Sequence, residues 1–127
     1  MTPRKELALW GTALAAAIAV SIGIAFVLGT QFKQHTERVI PIDVRRFEYT
    51  PNQITIKKGT PVILELKSLD VPHGFNLPDM GVRADVLPGL VARVRFIPTQ
   101  TGRFVFHCDI FCGTGHEELE GAIIVES

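Results

Sequence analysis

The sequence has no charge bias. Its 127 residues carry 13 Lys plus Arg against 13 Asp plus Glu, a formal net charge of zero. Nothing in that balance favours nucleic acid or an anionic surface as a partner. No Ser/His/Asp set, phosphate-binding glycine loop or close pair of carboxylates rises above chance in the chain. It therefore carries no sign of independent hydrolytic or phosphate-handling chemistry. Internal repeats and low-complexity tracts are missing, and the length allows one small domain and little else. Cysteine is scarce, with two residues, and the single tryptophan is Trp10.

Charge is missing altogether from residues 7–32. An uncharged, apolar run of that length is enough to cross roughly 30 Å of hydrocarbon as a helix. Arg4 and Lys5 precede it, and Lys33 and Arg38 follow more diffusely. The positive-inside rule then puts the N-terminus in the cytoplasm and the rest of the chain outside. The competing reading is a cleaved signal peptide, but the stretch is longer than the usual apolar region of one and no A-x-A site follows it. Gly11, Ala15, Ala19 and Gly23 recur every four positions, a spacing that suits a partner helix or an ordinary alanine-rich anchor. The expected organisation is an N-terminal membrane anchor at 1–32, a polar linker at 33–39 that contains His35, and a domain at 40–127.

In that domain the apolar period becomes two. Ile40, Ile42 and Val44 alternate with Asp43 and Arg45; Ile54 and Ile56 share a face; Val62, Leu64 and Leu66 follow the break at 57–61. Phe75 and Leu77 begin a short strand that Pro78 ends. Val82, Ala84 and Val86 form the next, and Leu90, Ala92, Val94 and Phe96 the one after Pro88-Gly89. Phe104 and Phe106 point one way and Val105 and His107 the other, and residues 121–126 close the domain. Tyr49-Thr50-Pro51-Asn52 reads as a turn. Short alternating strands at this spacing predict an all-β, antiparallel sandwich.

Both cysteines fall between the last two strands, in Cys108-x3-Cys112-x3-His116. Thiolate, thiolate and imidazole at four-residue steps suit a soft metal: thiolates favour Cu(I), zinc and iron–sulfur clusters, and imidazole suits copper and zinc. One loop cannot surround an ion, so His73, at the end of another strand, is the candidate for a further ligand. A disulfide is the bland alternative in an exported domain, but it would close a tiny ring and stabilise little. A structural zinc site is the other, although this spacing is not that of a finger. Copper is favoured over both. His107 should face away from Cys108 by strand alternation. Asp109, Glu117 and Glu118 flank the site; solvated loop carboxylates are the expected reading, and a docking surface is the alternative.

Tyr49-Thr50-Pro51, Val71-Pro72-His73-Gly74-Phe75, Val86-Leu87-Pro88-Gly89 and Cys108-x3-Cys112-Gly113-x2-His116 together resemble the copper A domain of cytochrome c oxidase subunit II, in its short, single-helix form. The resemblance covers about residues 40–126. It implies a cupredoxin-like antiparallel Greek-key sandwich preceded by one N-terminal transmembrane helix. It implies two copper ions bridged by Cys108 and Cys112, with His73 and His116 each completing one copper and the Ile110 carbonyl as a weak ligand. It also implies electron transfer at the outer, periplasmic side of the inner membrane, with a c-type cytochrome or another oxidase subunit as redox partner.

Three positions depart from the family pattern. Leu119 stands where a methionine is usual, which should shift the potential of such a centre more than abolish binding; Met80, in another loop, is the one substitute. Ile110 stands where the family usually has a glutamate that helps a magnesium site. No tryptophan lies in the domain to build an aromatic electron-entry patch. Beside the binuclear electron carrier stand two alternatives, a copper-handling cupredoxin for delivery or storage and a mononuclear redox protein.

Overall fold

The computed structural model describes residues 3–29 and 36–127, with side chains described from 10 to 22, at 24 and from 36 onward. The chain divides into two compact units, 1–34 and 35–127. Among its described residues the first contains one helix, α1 (Pro3–Gly29). Its Ser21 hydroxyl donates to the Ala17 carbonyl at 2.9 Å, so that polar group is satisfied within the helix. Among the described residues no helix is long and apolar enough to cross a membrane. The linker histidine, His35, lies outside the described residues.

Among its described residues the second unit holds nine strands: β1 (Arg38–Arg45), β2 (Glu48–Thr50), β3 (Gln53–Lys57), β4 (Val62–Ser68), β5 (His73–Leu77), β6 (Val82–Val86), β7 (Val91–Phe96), β8 (Gly102–His107) and β9 (Glu120–Glu126). They form a four-stranded sheet, β2-β1-β4-β7, and a five-stranded sheet, β3-β9-β8-β5-β6. In β1 and β3 alternate residues are buried, which is the pattern of a sheet with one face in the core and one in water. Ile42, Val44, Leu64 and Leu66 of the first sheet and Phe75, Leu77, Phe106 and Ile123 of the second are fully buried in a single cluster. Burial of each such side chain contributes roughly 1.5–3 kcal/mol, and this shared core is what makes the scaffold stiff.

Two expectations are corrected. The sandwich is not purely antiparallel: β1 runs parallel to β4, and β3 parallel to β9. After the β1–β2 hairpin the chain leaves the first sheet to lay down β3 in the second, then returns as β4 in the direction of β1. Alternation reports which face of a strand is buried, not which strand lies beside it. The turn assigned to 49–52 begins later, because Tyr49 and Thr50 belong to β2, paired with Val44 and Asp43, and only Pro51 and Asn52 bend.

Four segments converge at one end of the sandwich: the β1–β2 turn at 46–47, the β4–β5 loop at 69–72, the start of β5, and the β8–β9 loop at 108–119. The Leu69 amide is held by the Val44 carbonyl at 2.8 Å. The Cys108 amide is held by the Leu119 carbonyl at 3.0 Å, which closes the cysteine loop at its base.

Candidate metal centre

His73 opens β5 and has no solvent exposure; it is the one buried polar residue among those described. Its Nε2 lies 2.6 Å from Asp70 Oδ1. That carboxylate also accepts the Arg46 amide at 2.8 Å and the Val71 amide at 2.7 Å. A carboxylate can only accept, so Nε2 carries a proton, and in the neutral ring Nδ1 is then the nitrogen with the lone pair. Nδ1 is buried and has no hydrogen-bond partner. Buried polar atoms are almost always satisfied, so an orphan acceptor in a core position calls for a ligand.

A ring nitrogen of His73 and the sulfurs of Cys108 and Cys112 all lie within 4.8 Å of one another. With Nε2 taken by Asp70, Nδ1 is the nitrogen left to complete that set. Both cysteines are buried and free, and their sulfurs stand 3.9 Å apart, far beyond a disulfide bond of about 2.05 Å. Cys108 Sγ accepts the Gly74 amide at 3.3 Å and lies 3.1 Å from the Ile110 carbonyl oxygen. Cys112 Sγ lies 3.7 Å from His116 Nδ1. His73, Cys108, Ile110, Cys112 and His116 thus form one continuous cluster of soft sulfur, imidazole and carbonyl donors. His116 sits at its half-buried edge, its ring centroid 6.0 Å from that of the exposed Phe111.

Local features hold these atoms. Gly74 leaves room for Asp109: a Cβ there would lie 2.0 Å from Asp109 Oδ1 and 3.1 Å from the Asp109 amide nitrogen, so the carboxylate would have to move aside. Asp109, next to Cys108, is gripped by Arg83 through two bonds, one of 3.0 Å from Nη2, while Arg83 Nη1 reaches Asp85 at 2.7 Å. Gly113 (φ 140°) gives the cysteine loop a conformation that side chains rarely adopt. Tyr49, fully buried, donates its hydroxyl to the Gly74 carbonyl at 2.7 Å and meets Phe75 and Phe106 edge-on.

The electrostatics follow the contacts. Desolvation acts to raise the Asp70 pKa, but the Arg46 amide, the His73 ring and the Val71 amide outweigh it and hold the carboxyl at about 2. Burial, and then the neighbouring Cys108, push the Cys112 thiol up to about 11, with the Arg46 guanidinium acting the other way. Burial likewise carries the Tyr49 hydroxyl far above its ordinary range.

Of the remaining residues singled out in the sequence, Leu119 is fully buried. Met80 lines a cavity of about 450 Å³ with Phe96 and Phe104 that includes none of the five cluster residues. His107 is half-buried on β8, opposite Glu120 and Asn76. Trp10 lies exposed on α1. Sequence reasoning gave no role to Asp70, Arg46 or Tyr49. Two of them left a trace, Asp70 as a carboxylate three residues before His73 and Tyr49 as part of the Tyr49-Thr50-Pro51 motif.

The cupredoxin-like domain family matches residues 16–125. The chain belongs to that family. Among curated relatives, this cupredoxin is 35% identical over 80 residues to cytochrome c oxidase subunit 2 of Thermus thermophilus, an overlap of 63% of this chain and 59% of the relative. The chain thus spans about three fifths of that relative's length. Among solved structures, it is similar to the periplasmic domain of subunit II of cytochrome oxidase from Bradyrhizobium japonicum, with a TM-score of 0.66, 22% identity, and coverage of 71% of this chain and 84% of that one. It is also similar to a chain of a heme-copper terminal oxidase dimer, with a TM-score of 0.65, 21% identity, and coverage of 94% and 99%. The resemblance read from the sequence motifs is borne out, and the cupredoxin carries its donor cluster where those motifs fall.

Proposed function

We propose that this cupredoxin is a copper-binding electron-transfer protein with a binuclear, copper A-like centre. Cys108 and Cys112 would bridge the two ions, His73 and His116 would each complete one, and the Ile110 carbonyl would be a weak additional donor. The single observation that carries the reading is the unpartnered, fully buried Nδ1 of His73, in a residue that forms one cluster with two free thiols. The donors fit copper, since thiolate and imidazole are its preferred protein ligands. Copper, when bound, supplies one-electron redox chemistry.

The chain's own residues do the rest. Asp70 fixes the His73 tautomer so that the free lone pair is Nδ1. The Gly74 amide donates to Cys108 Sγ, which lowers the electron density on that sulfur and favours a higher potential. The buried surroundings exclude water, and the stiff sheets limit movement when charge changes.

We extend the proposal to the whole molecule. Residues 1–32 would be a single-pass anchor in the inner membrane, supported by the uncharged run 7–32 and by the 27-residue length of α1; 33–39 would be a linker and 40–127 the copper domain on the periplasmic side. The partner would be a c-type cytochrome or another subunit of an oxidase. Support comes from the subunit 2 relative and from the oxidase chain matched along nearly the full length.

One observation favours a single copper, used for delivery, storage or mononuclear redox chemistry: the tight group contains His73, Cys108 and Cys112 but not His116. Metal counting on the copper-loaded protein separates the two. Two coppers per chain in the wild type, with loss of both on Cys112→Ser or His116→Ala, supports the binuclear reading. One copper per chain, unaffected by His116→Ala, overturns it.

A further inference from the structure

The β1–β2 turn touches both halves of the donor cluster. The Arg46 amide donates to Asp70 Oδ2 at 2.8 Å, and Asp70 in turn holds His73. The same residue's side chain donates from Nε to the Cys112 carbonyl at 2.7 Å. Phe47 completes the contact, because its ring packs on the cysteine loop where side chains are absent. A Cβ would lie 3.0 Å from that ring at Gly113 and 2.6 Å at Gly115.

We infer that Arg46 is a positioning residue that fixes the Asp70-bearing loop, which leads into His73, and the cysteine-bearing loop at a set separation before any metal arrives. His73 opens β5 and Cys112 lies in the β8–β9 loop; the Gly74 amide ties the start of β5 to Cys108 Sγ at 3.3 Å, but no strand pairing joins 69–72 directly to 108–119. Arg46 spans them with one backbone and one side-chain bond. A guanidinium is suited to this task, since its planar fork loses little freedom for each bond formed. The acceptor is a main-chain carbonyl in a turn seated on Phe47, so the bond does not suffer the side-chain disorder that makes exposed ion pairs weak. The same geometry keeps a fixed positive charge beside Cys112. That charge opposes the loss of an electron from the centre, so it should raise the reduction potential.

The test uses the full-length protein with Arg46→Gln and Arg46→Lys. In the metal-free state, hydrogen exchange is read at the His116 amide, which is bonded to the Gly113 carbonyl at 3.1 Å, and along the β8–β9 ladder. Loss of a charged hydrogen bond should speed exchange at His116 by about tenfold or more in both variants, with the β8–β9 amides unchanged. In the copper-loaded state, Arg46→Gln should lower the reduction potential, while Arg46→Lys, which keeps the charge, should stay near wild type. Unchanged exchange at His116, or equal acceleration throughout β8–β9, overturns the positioning role. A potential that falls equally in both variants overturns the charge effect. The potential arm rests on the copper reading, whereas the exchange arm needs no metal; a protein that takes up no copper would sink the former and leave the latter decisive.

Discussion

Removal of the Asp70 carboxylate tests how the cluster is prepared for a metal. Asp70→Ala takes away the acceptor shared by the Arg46 amide, the Val71 amide and His73 Nε2. The two amides are exposed, so water replaces the lost partner there at little cost. His73 is fully buried, so its Nε2 would join Nδ1 without a partner. Leaving such a group unsatisfied costs about 1–3 kcal/mol. Asp70→Asn keeps a carbonyl oxygen for Nε2 but loses the charge, and a neutral bond is roughly half as strong, so about 1 kcal/mol is expected. The free energies come from urea unfolding of the metal-free protein. A Cu(I) chelator competition reports affinity, which should fall by about 10–100-fold in Asp70→Ala, as for other lost supports of a ligating histidine. Nitrogen chemical shifts of His73 should report a fixed Nε2–H tautomer in the wild type and mixed tautomers in Asp70→Ala. The reasoning fails if Asp70→Ala matches the wild type in both stability and affinity, or if Asp70→Asn is the more harmful change.

Three further outcomes are expected. Leu119→Met is close to volume-conserving and should cost less than about 1.5 kcal/mol while lowering the potential of the copper-loaded protein modestly; an unchanged potential by voltammetry would mean that residue 119 is not beside the metal. Tyr49→Phe leaves the buried Gly74 carbonyl without its donor and should destabilise the metal-free protein by about 1–3 kcal/mol in urea unfolding, with no effect contradicting the proposed anchoring of the β5 start. Asp70 has its pKa lowered from 3.8 to about 2 on folding, so its contribution is present above the unfolded value and is lost as pH falls through the folded one; the urea midpoint of Asp70→Asn should therefore vary less with pH than that of the wild type between about 4 and 2, and parallel curves would refute this.

The strands were legible because alternation survives folding: Ile40, Ile42 and Val44, and Val62, Leu64 and Leu66, are the buried faces of β1 and β4. The cysteine loop was legible because its donors are close in sequence. His73 could be added only through the family resemblance and the need for a distant ligand. Strand partners were not legible, since a period of two is the same in parallel and antiparallel ladders. Asp70 and Arg46 were hidden for a related reason: the bonds from Arg46 span 24 and 66 residues, and nothing local marks a turn residue as their source. Tyr49 was masked by the adjacent Pro51-Asn52, whose turn chemistry drew the reading of β2 into a bend.

The most direct test of the centre is the electron paramagnetic resonance spectrum of the copper-loaded, partly oxidised protein. Two coppers that share one electron equally through Cys108 and Cys112 should give a hyperfine pattern of seven lines, lost on Cys112→Ser. A four-line pattern from a single copper nucleus would contradict the binuclear account.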